Sequence, residues 1–213
     1  DIVQESTQNQ VFIPEKSAVN FTEQSKTDKA KIVISSKRSL EAAEVYAVQG
    51  KKVCVLNFAS ATNPGGGVVN GSSAQEECIC RCTTLYPCLN NNDLWTEFYK
   101  PHRKAANPLY NNDCVYTPDV CVFKSDINFP ETLPRDEWWK VNILTCAAPN
   151  LNYAIRYKGG ITNEHRYAMY DRAGFIFNLA EMYETDTFVL GAWGCGVFKN
   201  EPNIVSAILY DAI

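Results

Sequence analysis

Apolar and polar residues along this 213-residue chain fall into short blocks of differing period. The first 30 residues are polar, with Gln, Ser, Thr and Lys spread through them; they read as a lead-in carrying one short strand at Val11–Ile13. Ile32-Val33-Ile34 is a short apolar run and predicts a strand. Ser39 is a suitable N-cap, and Leu40–Gln49 reads as a helix closed by Gly50. Lys52–Phe58 (KVCVLNF) is a strand, Ala59–Ser73 a glycine-rich loop, and Gln75 to about Tyr86 a second helix with Pro87 just beyond it. Leu94–Tyr99 predicts a third helix. Cys114–Phe123 is β-rich, with a turn expected at Thr117-Pro118-Asp119, and Trp138–Cys146 holds a strong strand at Val141–Leu144. A helical pattern covers residues 163–184, Phe188–Leu190 is a strand, and after the loop GAWGCGVFKN, Pro202 suits the first turn of a last helix.

Strands thus alternate with helices, and the strongest strands are continuous apolar runs. That pattern needs a sheet covered on both faces, so the chain reads as α/β, a three-layer α/β/α domain with a mixed central sheet over residues 31–213. In such sheets ligands bind beyond the carboxyl ends of the strands. The loops after Phe58 and after Leu190 hold that position, and both are glycine-rich.

Composition narrows the chemistry. A hydrophobic fraction of 46% and a charged fraction of 21% are ordinary globular values and exclude a collagen, a coiled coil or wholesale disorder. No run of about 18 apolar residues occurs, so no transmembrane helix and no membrane partner is expected, and DIVQESTQNQ lacks the features of an intact signal peptide. The formal net charge of −4 argues against attachment to DNA or RNA by bulk electrostatics, but leaves room for an anionic small ligand held by backbone N–H groups. Nine cysteines, an odd number, point to reduced thiols and a cytoplasmic setting. Cys78, Cys80, Cys82 and Cys88 cluster, but their spacing is not a common zinc pattern and His102 and His165 are the only histidines; thiols on a helix are the preferred reading and no metal is expected. Arg156, Arg166 and Arg172 are expected on a solvated helix face.

Two loops carry candidate chemistry. In the first, Gly65-Gly66-Gly67 allows close backbone approach to another group. The helix after it opens Ser73-Ala74-Gln75-Glu76-Glu77. Ser73 with Glu76 has capping-box spacing, and acidic residues suit a helix's first turn, so the glutamates have a purely structural explanation. The alternative is that one carboxyl faces the glycine loop while its neighbour, about 100° away, orients it or holds a ligand hydroxyl. Burial or a bound diphosphate would then raise the carboxyl pKa enough for general acid work. The second loop, Gly191 to Phe198, does not match a dinucleotide fingerprint; its alternating glycines make a plain anion nest.

Taken together, Gly65-Gly66-Gly67 followed by Gln75-Glu76-Glu77 resembles the signature of poly(ADP-ribose) glycohydrolases. The segments NFASATNPGGG (57–67), RCTTLYPCL (81–89), TCAAPN (145–150) and GAWGCGVFKNEP (191–202) resemble the bacterial-type, microbial branch of that family, over roughly residues 30–210. The resemblance implies a macrodomain-like fold and cleavage of the ribose–ribose O-glycosidic bond of poly(ADP-ribose), or of ADP-ribosylated protein, with ADP-ribose as product and no cofactor. It implies Glu77 as the catalytic acid/base, with Glu76 and Gln75 positioning the ribose. Gly65, Gly66 and Gly67 would approach the diphosphate and distal ribose; Gly194, Cys195, Gly196 and Val197 would cradle the diphosphate; Phe198 would pack by the adenosine. Family members usually continue past the helix at 202–213 into another strand, so the resemblance implies either a truncated C-terminus or a missing last element. The rival readings are removal of a single ADP-ribose from an acceptor, a non-catalytic ADP-ribose reader, and a zinc module on the cysteine cluster.

Overall fold

The computed structural model describes residues 2–17, 30–157 and 162–213. Five strands, β1 (Val11–Ile13), β2 (Val53–Phe58), β3 (Cys114–Val122), β4 (Trp139–Cys146) and β5 (Thr187–Val189), form one sheet in the order β1-β3-β4-β2-β5. β4, β2 and β5 run parallel; β1 and β3 are antiparallel additions on one side. The sheet is therefore mixed. The α-helices of the described residues are α1 (Ile2–Gln8), α2 (Ser39–Ala47), α3 (Gln75–Cys82), α4 (Leu85–Leu89), α5 (Asn92–Leu94), α6 (Lys100–Ala105), α7 (Leu151–Tyr157), α8 (Asn163–Met182) and α9 (Pro202–Asp211), and a π-helical turn, Trp95–Tyr99, joins α5 to α6 where the sequence predicts a third helix.

Side chains alternate across β2, β3 and β4, and each face builds its own core. Cys54, Leu56, Tyr116, Leu144 and Cys146 pack with Ala173, Ile176 and Leu179 of α8 and Val205 and Leu209 of α9. Val53, Val55, Val115 and Ile143 pack with Leu40 and Ala43 of α2, Ile79 of α3 and Leu85 of α4. Helices on both faces of one sheet make three layers.

Four expectations need correction. Ile32-Val33-Ile34 pairs with no strand and is exposed, Ile34 at 95%; an apolar triplet becomes a strand only where a sheet edge accepts it. The helix predicted from Gln75 to Tyr86 is two helices, because Thr83 is extended and bridges Val122 of β3, and Pro87 lies inside the second. Thr117-Pro118-Asp119 is a bulge within β3, where the register against β4 shifts and Asp119 takes φ +53, not a turn ending it. Ser39 is the first residue of α2 rather than its cap. The polar lead-in contributes α1 and β1; its residues 18–29 lie outside the described part of the chain.

Candidate active site

β2, β4 and β5 all end on one side of the sheet, at Phe58, Cys146 and Val189. The loops leaving these strands converge there, and α3 points its first turn at the same place. Gln75 fixes that approach. Its side-chain oxygen accepts the N–H of Phe58 (2.9 Å), and its amide nitrogen donates to Leu56 O (2.8 Å) and to Ser39 Oγ (3.1 Å). One side chain thus sutures α3 to the end of β2 and to α2.

Glu76 and Glu77 are 3% and 7% exposed. The capping box expected between Ser73 and Glu76 is not formed. Ala74 is the N-cap, and Glu76 turns inward to stronger donors: its Oε2 accepts from Ser60 N–H (2.7 Å) and its Oε1 from Asn57 Nδ2 (3.3 Å). Asn57 is itself buried within β2 and also donates to Thr145 Oγ1 (3.2 Å). Glu77 takes a different partner, its Oε1 accepting from Gly67 N–H (2.8 Å), while its Oε2 is buried and has no partner among the described residues. Adjacent residues on a helix diverge, and here they diverge to opposite sides of the glycine loop. They meet again at Gly66, where a Cβ would clash with Glu77 Oε1 and lie 3.0 Å from Glu76 Oε2. Gly66 also has φ +58, so glycine is required there twice over, for conformation and for space.

The electrostatics follow from this packing. Burial pushes the Glu76 carboxyl up to about 8, against the lowering effect of its hydrogen bonds from Ser60 and Asn57, with the neighbouring Glu77 adding a smaller push upward. Burial therefore favours the neutral acid over the carboxylate at Glu76.

The second loop closes the other side. Trp193 is fully buried and its indole N–H donates to Cys146 O (3.0 Å). Gly194 takes φ +71, and a Cβ there would sit 2.5 Å from Asn200 Nδ2 and 2.6 Å from Ala148 Cβ. Asn200 donates to Gly194 O (3.1 Å) and Pro149 O (2.9 Å), which ties this loop to the one after β4. Beyond Gly194 the chain opens to solvent: Cys195 is partly exposed, Gly196 is exposed, Val197 is 68% exposed, and no described residue accepts from the N–H groups of Gly196, Val197 and Phe198. The Phe198 ring faces Tyr110 with centroids 6.1 Å apart.

The structure thus gathers Gly65 to Gly67, Gln75, Glu76 and Glu77 at one point, with the loop of Gly194 to Phe198 beside them. Asn57 and Ser60 were missed; a lone Asn inside an otherwise apolar strand was the available signal. Arg172 is a correction: it is not on a solvated face but 1% exposed, because α8 is buried along most of that side. The cysteine cluster disperses. Cys80, Cys82 and Cys88 are buried among apolar side chains, and the described residues contain no group of three or more His, Cys, Asp or Glu able to hold a metal ion.

Fold and site define a macrodomain-like α/β/α domain with an acidic pair set against a glycine cradle. A sequence model of the catalytic domain of microbial-type PARG, poly(ADP-ribose) glycohydrolase, matches residues 1–125. Among solved structures, a variant of poly(ADP-ribose) glycohydrolase from Thermomonospora curvata is 31% identical with a TM-score of 0.85, over 98% of this chain and 74% of that one. The same enzyme bound to the inhibitor ADP-HPD gives 31% and 0.84 over the same shares. The Deinococcus radiodurans enzyme in complex with ADP-ribose is 28% identical with a TM-score of 0.88, over 98% of this chain and 83% of that one. No match is found among curated proteins. The chain belongs to the microbial-type poly(ADP-ribose) glycohydrolase family.

Proposed function

We infer that this chain hydrolyses the ribose–ribose O-glycosidic bond of poly(ADP-ribose) and releases ADP-ribose, with Glu77 as general acid and then general base. The observation that carries Glu77's role is its divided carboxyl: Oε1 is anchored on Gly67 N–H while Oε2 is buried and unengaged. Glu76 has both oxygens occupied by donors from Ser60 and Asn57.

The chemistry follows from the transition state, which carries positive charge on the ribose C1 and its ring oxygen. Glu77 gives its proton to the departing ribose oxygen as the C1–O bond breaks. The resulting carboxylate then takes a proton from the water that attacks C1, and the enzyme returns to its starting state. Glu76, fixed by the donors Ser60 N–H and Asn57 Nδ2, positions the ribose beside Glu77. At Gly66 a Cβ would meet both carboxyls, so only backbone fits there, and Gly65 and Gly67 flank it toward the distal ribose. The free N–H groups at Gly196, Val197 and Phe198 suit the diphosphate, and Phe198 packs on the nucleotide. No step needs a cofactor.

The test is release of ADP-ribose from poly(ADP-ribosyl)ated protein, comparing wild type with Glu77→Gln, together with calorimetric titration of ADP-ribose. The variant should bind ADP-ribose and lose at least about 10²-fold in turnover, the usual effect of removing a general acid. A variant that turns over at the wild-type rate would remove Glu77 from the mechanism. Wild type that releases ADP-ribose from singly modified protein but not from chains would make the enzyme a mono-ADP-ribosyl hydrolase.

A further inference from the structure

We propose that Tyr110 is a substrate-positioning residue, the wall against which the ribose bearing the scissile bond packs, next to Phe198 on the nucleotide side, and that the buried Arg172 serves to hold it there. This rests on the glycohydrolase reading of the cleft.

Tyr110 sits in the loop between α6 and β3 with φ +57, a conformation uncommon for a bulky side chain and one that tends to persist only where surrounding contacts enforce it. Those contacts come from Arg172. Its Nε donates to Asn112 Oδ1 (3.1 Å), its Nη1 to Ala147 O (2.6 Å) and its Nη2 to Leu109 O (2.8 Å). No described carboxylate forms an ion pair with it. A buried guanidinium without an anion is costly unless its donors are satisfied, and here they grip the residues on both sides of Tyr110. Asn150, on the loop after β4, ties the same loop from the other side, its N–H donating to Pro108 O (2.7 Å).

The half-buried ring then spans the two halves of the site. It packs on Ala59, Ala61 and Ala147, and it faces Phe198 at 50°. Ala59 and Ala61 flank Ser60, the residue whose N–H holds the Glu76 carboxyl. The ring is therefore at the sugar end of the cleft, one residue from the acidic pair, rather than at the adenine end.

The experiment compares the affinities of wild type, Tyr110→Ala and Tyr110→Phe for ADP-ribose and for ADP, which lacks the distal ribose, with KM and kcat measured on poly(ADP-ribose). Tyr110→Ala should weaken ADP-ribose binding and raise KM by roughly tenfold or more, leave ADP within about twofold, and change kcat less than KM. Tyr110→Phe, which keeps the ring, should stay near wild type. Arg172→Lys, which keeps the charge but cannot reproduce the three-way fork, should follow Tyr110→Ala in direction. Should Tyr110→Ala fail to fold, Tyr110→Gly removes the ring while relieving the left-handed backbone. Equal losses for ADP and ADP-ribose would place the ring at the nucleotide end and overturn the assignment, as would a folded Tyr110→Ala or Tyr110→Gly protein with wild-type affinity. Wild type that binds neither ligand would instead bring down the functional reading itself.

Discussion

Glu76 is the residue at which burial and ionisation conflict most openly. Its folded pKa of about 8 lies above the ordinary value of 4.5, so the folded protein keeps a proton that the unfolded chain has lost throughout that interval. Stability from this group is complete below about pH 4.5 and declines as pH rises through about 8. Glu76→Gln removes the titration. The new amide can give its oxygen to Ser60 N–H and its NH₂ to Asn57, whose Oδ1 is buried without a partner and can turn to accept it. Urea unfolding across pH should therefore show the variant gaining on wild type from about pH 4.5 to about 8, by on the order of a few kcal/mol, and level above that. Parallel curves would show that Glu76 is ionised in the folded protein at neutral pH. The glutamate pair itself was legible in the sequence as chemistry, but its donors were not. Ser60 and Asn57 lie 16 and 19 residues from Glu76 along the chain, so only the turn back from β2 to α3 brings them together.

At the scale of elements, periodicity found what packing alone decides. β2, β4 and α9 are placed by continuous apolar runs or by Pro202 at a helix start, and they appear within a residue or two of expectation. Ends and interruptions obey long-range partners instead. α2 shows this: its first turn is capped from outside, with Leu40 N–H donating to Asp126 Oδ2 (3.1 Å) and Arg38 Nη1 to Asp126 Oδ1 (3.4 Å), while the expected cap Ser39 uses its hydroxyl on Gln75. Asp126 is 6% exposed and follows β3 at a distance of 86 residues from Leu40, so no local spacing could announce it. Asp126→Ala leaves the buried Leu40 N–H unsatisfied and should cost about 1–3 kcal/mol in chemical denaturation, with Asp126→Asn losing much less because one acceptor oxygen remains. Equal stability of the two variants would mean that water replaces the carboxylate and that the cap is unimportant. The Thr83 break and the Pro118–Asp119 bulge have the same origin: β3 accepts Thr83 as a bridge and needs an extra residue to stay in register with β4.

At the scale of the whole molecule, the distribution of the nine thiols is a direct reading of the layers. Cys54, Cys80, Cys82, Cys88, Cys114, Cys121 and Cys146 are buried, most of them in the two cores on either face of the sheet; Cys78 and Cys195 are partly exposed. The thiolate is the reactive form, and burial pushes Cys54 up to about 12, Cys82 up to about 11, and Cys80 and Cys114 well above the ordinary value. Titration of the native protein with an aromatic disulfide reagent at pH 8 should therefore show at most two thiols reacting quickly. The remaining seven should wait for opening of the domain, and all nine should react at once in denaturant. The two fast sites divide the molecule by function. Cys195 lies in the loop whose N–H groups Gly196 to Phe198 are free, whereas the Cys78 thiol donates to Ser73 O, at the start of α3. Saturating ADP-ribose should slow labelling of Cys195 several-fold and leave Cys78 unchanged, read by mass spectrometry of the labelled peptides. Protection of neither would move the diphosphate off the Gly194–Val197 loop. Protection of both would mean that ligand binding tightens α3 as well, and so couples the glycine cradle to the helix that carries the two carboxyls.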